Sequence, residues 1–362
     1  MRFVRIISAL LIVAMIGFYF IEQSDRSVET STKDVEDNFA KGRDSLLKSK
    51  VVPEMPVLTN GGALFQWIGE NTQNLTEQLG EPLRKDKSAY NYTWWIYPDE
   101  KDQYIQFGVE EGAIQTVFAT GNGIDIGPLK VGQSRQDVKE ALETLGKDLD
   151  YENEVAYENG ISSYRFQLKE EDLSKRPLIK LSDNLFLQAY FDTFTDQLSS
   201  VRILTGDVLL RHRPYGLEYR GDLPDEPSFS DEEWEEIETG MEKQIYDMTN
   251  VIRSNHDRSV LKEENSVSTV AFTHSKDMAE NNYFSHYSQD GSGLKERLAV
   301  EEVYYTSAGE NIAAQYPDAP SAMLGWLNSE GHREALLNDA YTHLGVGVYR
   351  LYYTQNFLQR PE

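Results

Sequence analysis

Two stretches of this chain spell the same structural unit. Ile68-Gly-Glu-Asn71, Leu75 and Leu79-Gly80 are echoed by Val131-Gly-Gln-Ser134, Val138 and Leu145-Gly146. In each copy a polar residue able to cap a helix (Asn71 or Thr72; Ser134, with Asp137 three residues on) precedes a short amphipathic stretch that stops at glycine. Runs rich in β-branched and aromatic residues follow, at 92–97, 103–109 and 113–119 in the first copy and at 162–168, 184–191 and 199–204 in the second. Glu110-Glu-Gly112 makes a hairpin loop, and the copies end alike in Ala119-Thr-Gly121 and Leu204-Thr-Gly206. One helix and a few strands cannot bury their apolar faces alone, so the copies must pack together. Residues 57–206 are therefore predicted to be an α+β domain of two helix-plus-antiparallel-sheet repeats. Trp94, Trp95, Tyr97, Phe107 and Phe186 alternate as sheet residues do and are expected in its core.

The ends of the chain read differently. Arg2 and Arg5 flank a run at 6–21 in which every residue is apolar, small or aromatic, and the first acid is Glu22. Positive charge ahead of such a run keeps the N-terminus inside and sends the remainder across a membrane. A cleavable signal closes on small residues, whereas this run closes on Gly17-Phe-Tyr-Phe-Ile21. Residues 1–22 are read as a retained single-pass anchor helix with the bulk of the chain extracellular; the alternative is secretion after signal cleavage. Residues 23–56 are polar and mixed in charge, too poor in apolar surface to offset the entropy of ordering, and read as a stalk. Residues 207–233 hold Pro214, Pro224 and Pro227 and run into acid, and read as a linker in which His212 is a solvated loop residue.

With no cysteine, disulfides, thiolate metal sites and cysteine nucleophiles are excluded. A formal charge of −25 opposes binding to nucleic acid or to anionic lipid surfaces. No histidine precedes His212, so titratable chemistry concentrates in residues 234–362.

There the pattern turns helical. Ile245, Met248 and Ile252 form one stripe, and Val267, Val270, Ala271, His274 and Met278 another, which makes His274 a packing residue before it is a ligand. Short helices are predicted at 294–298, 322–327 and 331–337, and a terminal hairpin turns through Arg350-Leu351. Three polar islands stand out: Tyr283-Phe-Ser-His286, Gly309-Glu-Asn311 and Asn328-Ser-Glu-Gly-His-Arg333. Their spacing fits no single helix face, so His286, Glu310 and His332 can meet only through the fold. Two imidazoles and a carboxylate converging can coordinate a divalent cation such as Zn²⁺ or move a proton. The alternative is structural, with Glu310 pinning a loop through backbone N–H groups.

Residues 241–358 resemble the CAP superfamily (cysteine-rich secretory proteins, antigen 5 and pathogenesis-related 1) in its cysteine-free bacterial form. The resemblance rests on Thr249-Asn250-x-x-Arg253, His274-Ser-x-Asp-Met278, the three islands, Asp290-Gly291, Trp326, Gly345-Val-Gly347 and Tyr353-Thr-Gln355 in order. The region before it is similar to the N-terminal domain that accompanies CAP modules in anchored Gram-positive proteins. The resemblance implies an α-β-α sandwich with a surface cleft. It carries three members of the family's two-His, two-Glu tetrad onto His286, Glu310 and His332. The fourth is missing: Trp326 is followed by Leu-Asn-Ser, with Ser329 nearest the expected place and Glu330 beside it. The expected function is a binding module whose cleft takes a small molecule, a lipid or a peptide, with a divalent cation as the possible cofactor. A metal-assisted, peptidase-like hydrolase at the cell envelope is the alternative, and would depend wholly on the His/Glu/His cluster, since no Gly-x-Ser-x-Gly or His-Glu-x-x-His occurs.

Overall fold

The computed structural model describes residues 64–98, 102–124, 126–149 and 153–360. The expected anchor and stalk lie outside them. Among the described residues no helix is long and apolar enough to cross a membrane.

The repeat is visible as local chemistry. Asn71 Oδ1 accepts the N–H of Asn74 at 2.9 Å to start α1 (Thr72–Leu79), and Ser134 Oγ accepts that of Asp137 at 3.2 Å to start α2 (Arg135–Thr144). Gly80 and Gly146 follow at φ 79° and 66°, a region costly for any residue with a Cβ. The first copy then supplies β1 (Arg84–Lys87), β2 (Thr93–Pro98), β3 (Gln103–Glu110) and β4 (Ala113–Gly121). After the second helix come β5 (Glu154–Asn159), β6 (Ser162–Gln167), α3 (Glu170–Lys175), β7 (Leu178–Ser182), β8 (Leu185–Asp192) and β9 (Gln197–Thr205). Seven of these strands make one antiparallel sheet in the order β1-β2-β3-β4-β9-β8-β7, the copies meeting where Val117 faces Ile203. Equivalent bridges, Asn71 to Ala113 and Ser134 to Gln197, tie each helix cap to the last strand of its copy.

Two expectations are corrected. The strand predicted at 162–168 is β6, but it leaves the large sheet and pairs with β5 and with β10 (Gly216–Arg220), while β7 takes its place. A tight turn at Gly160, φ 62°, folds β6 straight back on β5, and that local pairing wins. The second correction is His212. Residues 206–220 carry α4 (Gly206–His212) as well as β10, and His212 is 6% exposed. Arg202 donates to its Nδ1 at 3.0 Å, so Nε2 carries the proton and faces the Tyr92 hydroxyl at 2.8 Å. Burial and then the Arg202 charge push its pKa down to about 3.

The second half begins with α5 (Asp231–Asn255), where Ser230 and Glu233 form a reciprocal capping box and three acids occupy the first turn, the end a helix dipole favours for them. There follow β11 (Lys262–Glu263), α6 (Asn265–Glu280), α7 (Leu294–Val300), β12 (Ser307–Ala314), α8 (Ala319–Leu327), α9 (Glu330–Leu336), β13 (His343–Tyr349) and β14 (Tyr352–Gln359). The second sheet runs β11-β13-β14-β12, with β12 at an edge. Arg350 and Leu351 turn the hairpin at φ 46° and 62°. Helix α6 lies so close to β13 that a Cβ on Gly345 would stand 2.3 Å from the Ser268 nitrogen, and one on Gly347 1.9 Å from that of Phe272. Helices α5 and α8 cover the other face, giving the α-β-α layering expected. One buried cluster joins the halves: Tyr104, Phe118, Tyr190 and Leu204 of the large sheet pack with Ile237, Met241 and Ile245 of α5 and Trp326 of α8. Arg202 and Asp318, 1% and 2% exposed, pair at 2.6 Å within it.

Candidate functional site

Strand alternation sends Glu310 and Asn311 to opposite faces of edge strand β12. The Glu310 side chain is 4% exposed, and a carboxylate that deep needs partners for both oxygens. It has them: Oε1 lies 3.0 Å from His286 Nδ1, and Oε2 accepts from Arg297 Nη2 at 2.6 Å. Arg297, on α7, also donates through Nη1 to the carbonyls of His286 and Ser292, both at 3.1 Å. One guanidinium thus holds the His286 backbone while its carboxylate partner holds the ring. Burial alone would push the Glu310 carboxyl up; the bonds from His286 and the charge of Arg297 overcome it and hold the group below its ordinary value.

An ionised carboxylate only accepts, so Nδ1 of this half-exposed ring carries a proton and Nε2 is left as its other hydrogen-bonding atom. Phe284 and Tyr287, on the same loop, are 53% and 65% exposed.

His332 reaches the site from α9. Asn311 Nδ2 donates to its carbonyl at 3.1 Å and to Gln355 Oε1 at 3.3 Å, and Gln355 Nε2 donates to Thr249 Oγ1 at 2.7 Å. Arg253 holds the far end of α9 through the carbonyls of Leu336 and Asn338, at 2.8 and 3.0 Å. Several motif residues read from the sequence are therefore braces around this cluster. The half-buried His332 ring has its pKa lowered, by burial first and by neighbouring His286 second, which favours the neutral form. Ser329 occupies the cap position of α9 without a side-chain capping bond, and Glu330 is exposed on the first turn. Neither hydrogen-bonds to His286 or Glu310 among the described residues.

These residues do not fit a divalent cation. Among the described residues no group of three or more histidine, aspartate or glutamate side chains is placed to hold one. The physical reason is Arg297: a guanidinium already occupies one oxygen of Glu310, and the imidazole N–H occupies the other. Glu310 does pin the His286 loop, yet through side chains rather than the backbone N–H groups expected of it. His274 is fully buried and bonds the Ser285 carbonyl through Nε2 at 2.9 Å, bracing the same loop. Arg297 was not legible as a site residue; the signal for it was a glutamate flanked by small and apolar residues on a strand, which calls for a cation. Open depressions of about 460 and 440 Å³ lie elsewhere, one beside Arg135 and Thr193, the other beside Lys85 and Glu236.

Comparisons with known proteins agree with this architecture. The CAP-associated N-terminal family model matches residues 68–215, and the cysteine-rich secretory protein family model matches 246–359. An uncharacterized membrane protein of Bacillus subtilis, YlbC, is 47% identical over 297 residues, 82% of this chain and 84% of that one. The crystal structure of an extracellular SCP-domain protein from Bacillus anthracis is 36% identical and covers 92% of this chain and 100% of its own, with a TM-score of 0.76. A cysteine-rich secretory protein from Staphylococcus aureus is 26% identical over 83% of this chain and 96% of its own, with a TM-score of 0.71. The chain belongs to the cysteine-rich secretory protein (CAP) family, in its cysteine-free bacterial form with the CAP-associated module in front.

Proposed function

We propose that the protein is a binding module at the outer face of the cell membrane, tethered by residues 1–22, whose cleft around His286 and His332 takes a peptide, lipid or other small polar ligand. The observation that carries this reading is the buried Glu310, whose oxygens are divided between Arg297 and His286. That arrangement leaves the imidazole no freedom of tautomer and offers one hydrogen-bonding atom, Nε2, beside two exposed rings, Phe284 and Tyr287. It is a preorganised recognition group, and the ordering cost of holding it has already been met in the free protein. The tether is supported by the Arg2/Arg5 flank of the apolar run and by the membrane and extracellular designations of the relatives.

The test follows histidine ring signals by NMR while membrane-lipid vesicles and short envelope peptides are added in turn. A ligand of this cleft shifts the His286 and His332 signals together, and His286→Ala abolishes its binding. Equal binding by His286→Ala would overturn the assignment. Recovery of the protein only from culture medium, beginning after residue 21, would overturn the tether.

A further inference from the structure

The turn between β8 and β9 of the repeat module reaches the CAP half at two points, and these bracket the segment carrying His332. At the first, the N–H and Oγ1 of Thr193 both donate to Asn328 Oδ1 at 2.8 Å, and Asn328 Nδ2 donates to the Phe191 carbonyl at 2.9 Å. At the second, Arg333 Nη2 donates to Asp192 Oδ2 at 2.9 Å, with its guanidinium 4.7 Å from the Phe194 ring centroid. Asp192 is 2% exposed, and its other oxygen accepts the Phe194 N–H at 2.9 Å, so the turn is itself rigid. His256, just past α5, brings Nε2 to 3.3 Å from the same carboxylate. Between the two grips lie Ser329, Glu330, Gly331 and His332.

We infer that the repeat module is a positioning element for the cleft: Asp192 and Thr193, acting through Arg333 and Asn328, hold the 328–333 segment at both ends and so fix where His332 stands. This inference rests on the reading of His332 as a cleft residue and explains why a sheet module without catalytic residues travels with the CAP half. Asn328 ends α8 and Arg333 lies one turn into α9, so the grips act on the junction of two helices that Arg333 also closes within the CAP half, donating through Nη1 to the Leu327 carbonyl at 3.1 Å. The CAP half's own braces hold that helix at the His332 carbonyl, through Asn311, and at its far end, through Arg253. Neither touches its junction with α8. A short helix that loses side-chain contacts at its first turn frays at that end.

The experiment needs no ligand, so its failure is distinct from a failure to find one. Full-length wild-type, Asp192→Asn and Asn328→Ala proteins are exposed briefly to diethyl pyrocarbonate, and modification of each histidine is timed by peptide mass spectrometry. Backbone amide exchange over 329–336 is followed in parallel. The positioning role requires about a threefold or greater acceleration at His332 and faster exchange across 329–333, with His286 unchanged as the internal reference. Thr193→Val, which removes one hydrogen bond, is the milder variant if either substitution prevents folding, and it must show the same localised change in smaller measure. A lowered melting temperature with His332 no more reactive would make the contacts merely structural and overturn the inference. Acceleration of His286 and His332 together would do the same.

Discussion

Glu310→Gln tests the centre of the site most directly. The substitution keeps the shape and one acceptor oxygen but deletes the charge, so one of the two partners at 3.0 and 2.6 Å loses its acceptor and Arg297 loses its counter-ion. A hydrogen bond to a charged group contributes about 1.5–3 kcal/mol, and an orphaned buried charge costs about 3–5 kcal/mol. Arg297 keeps two backbone carbonyls and is 10% exposed, which places the loss near the lower figures, at about 2–3 kcal/mol. At about 2–4 °C per kcal/mol the melting temperature should fall by about 4–12 °C. His286→Ala takes the partner from Glu310 Oε1 but opens that oxygen to water at a half-exposed position, so it should cost less, about 1 kcal/mol. The pH dependence supplies an independent reading. The folded pKa of Glu310 is depressed, so its contribution is complete above the ordinary value of 4.5 and is lost as pH falls through the folded value. Wild type and Glu310→Gln should therefore differ at pH 7 and converge in acid. The assay is paired thermal melts from pH 7 to pH 3. A variant that melts with wild type at pH 7, or a difference that persists unchanged into acid, would refute the reasoning.

Other outcomes follow from the same physics. Arg202→Met should cost about 3–5 kcal/mol in a denaturant melt, because Asp318, 2% exposed, is left charged and unpaired between the two halves; a loss below about 1 kcal/mol would remove that pair as a tie. His212, held at about 3 in the fold, must be charged on unfolding, so stability should decline by about 1.4 kcal/mol per pH unit as pH drops below about 6.5, and His212→Asn should flatten that slope. Glu242 has the opposite sign. Burial raises it to about 7, so its contribution is full below 4.5 and declines as pH rises from there to about 7, and Glu242→Gln should melt higher than wild type at pH 8.

What the sequence disclosed was whatever short-range chemistry specifies. Asn71, Ser134, Gly80 and Gly146 announce the helix ends of the repeat because capping bonds span only three residues and a left-handed φ excludes most side chains. The exchange of β6 for β7 was not legible, since both runs suit a strand and only distant pairing decides which joins the large sheet. His212 between Arg211 and Arg213 looks solvated as a string. The helical period turns it inward with Val208 and Leu209, while Arg211 reaches out to Glu110. At the site the islands brought His286 to Glu310 as anticipated. The guanidinium that decides what Glu310 can bind lies on another element, thirteen residues earlier, with no motif to mark it.

The glycines of β13 set how closely a helix can approach the sheet that carries Glu310. Contacts of 2.3 and 1.9 Å for absent methyl groups mean that α6 rests directly on the peptide planes of the sheet, with no side chain as a shim. The chain leaves that helix at Glu280 and enters the loop that carries His286, while Glu310 stays on the sheet. A single methyl at Gly347 would lift α6 by about 1 Å, the scale at which a recognition geometry fails. The reach of His286 toward its carboxylate is thus gauged by two glycines on the same face of the sheet as Glu310, Gly345 lying in register with it across Asn356.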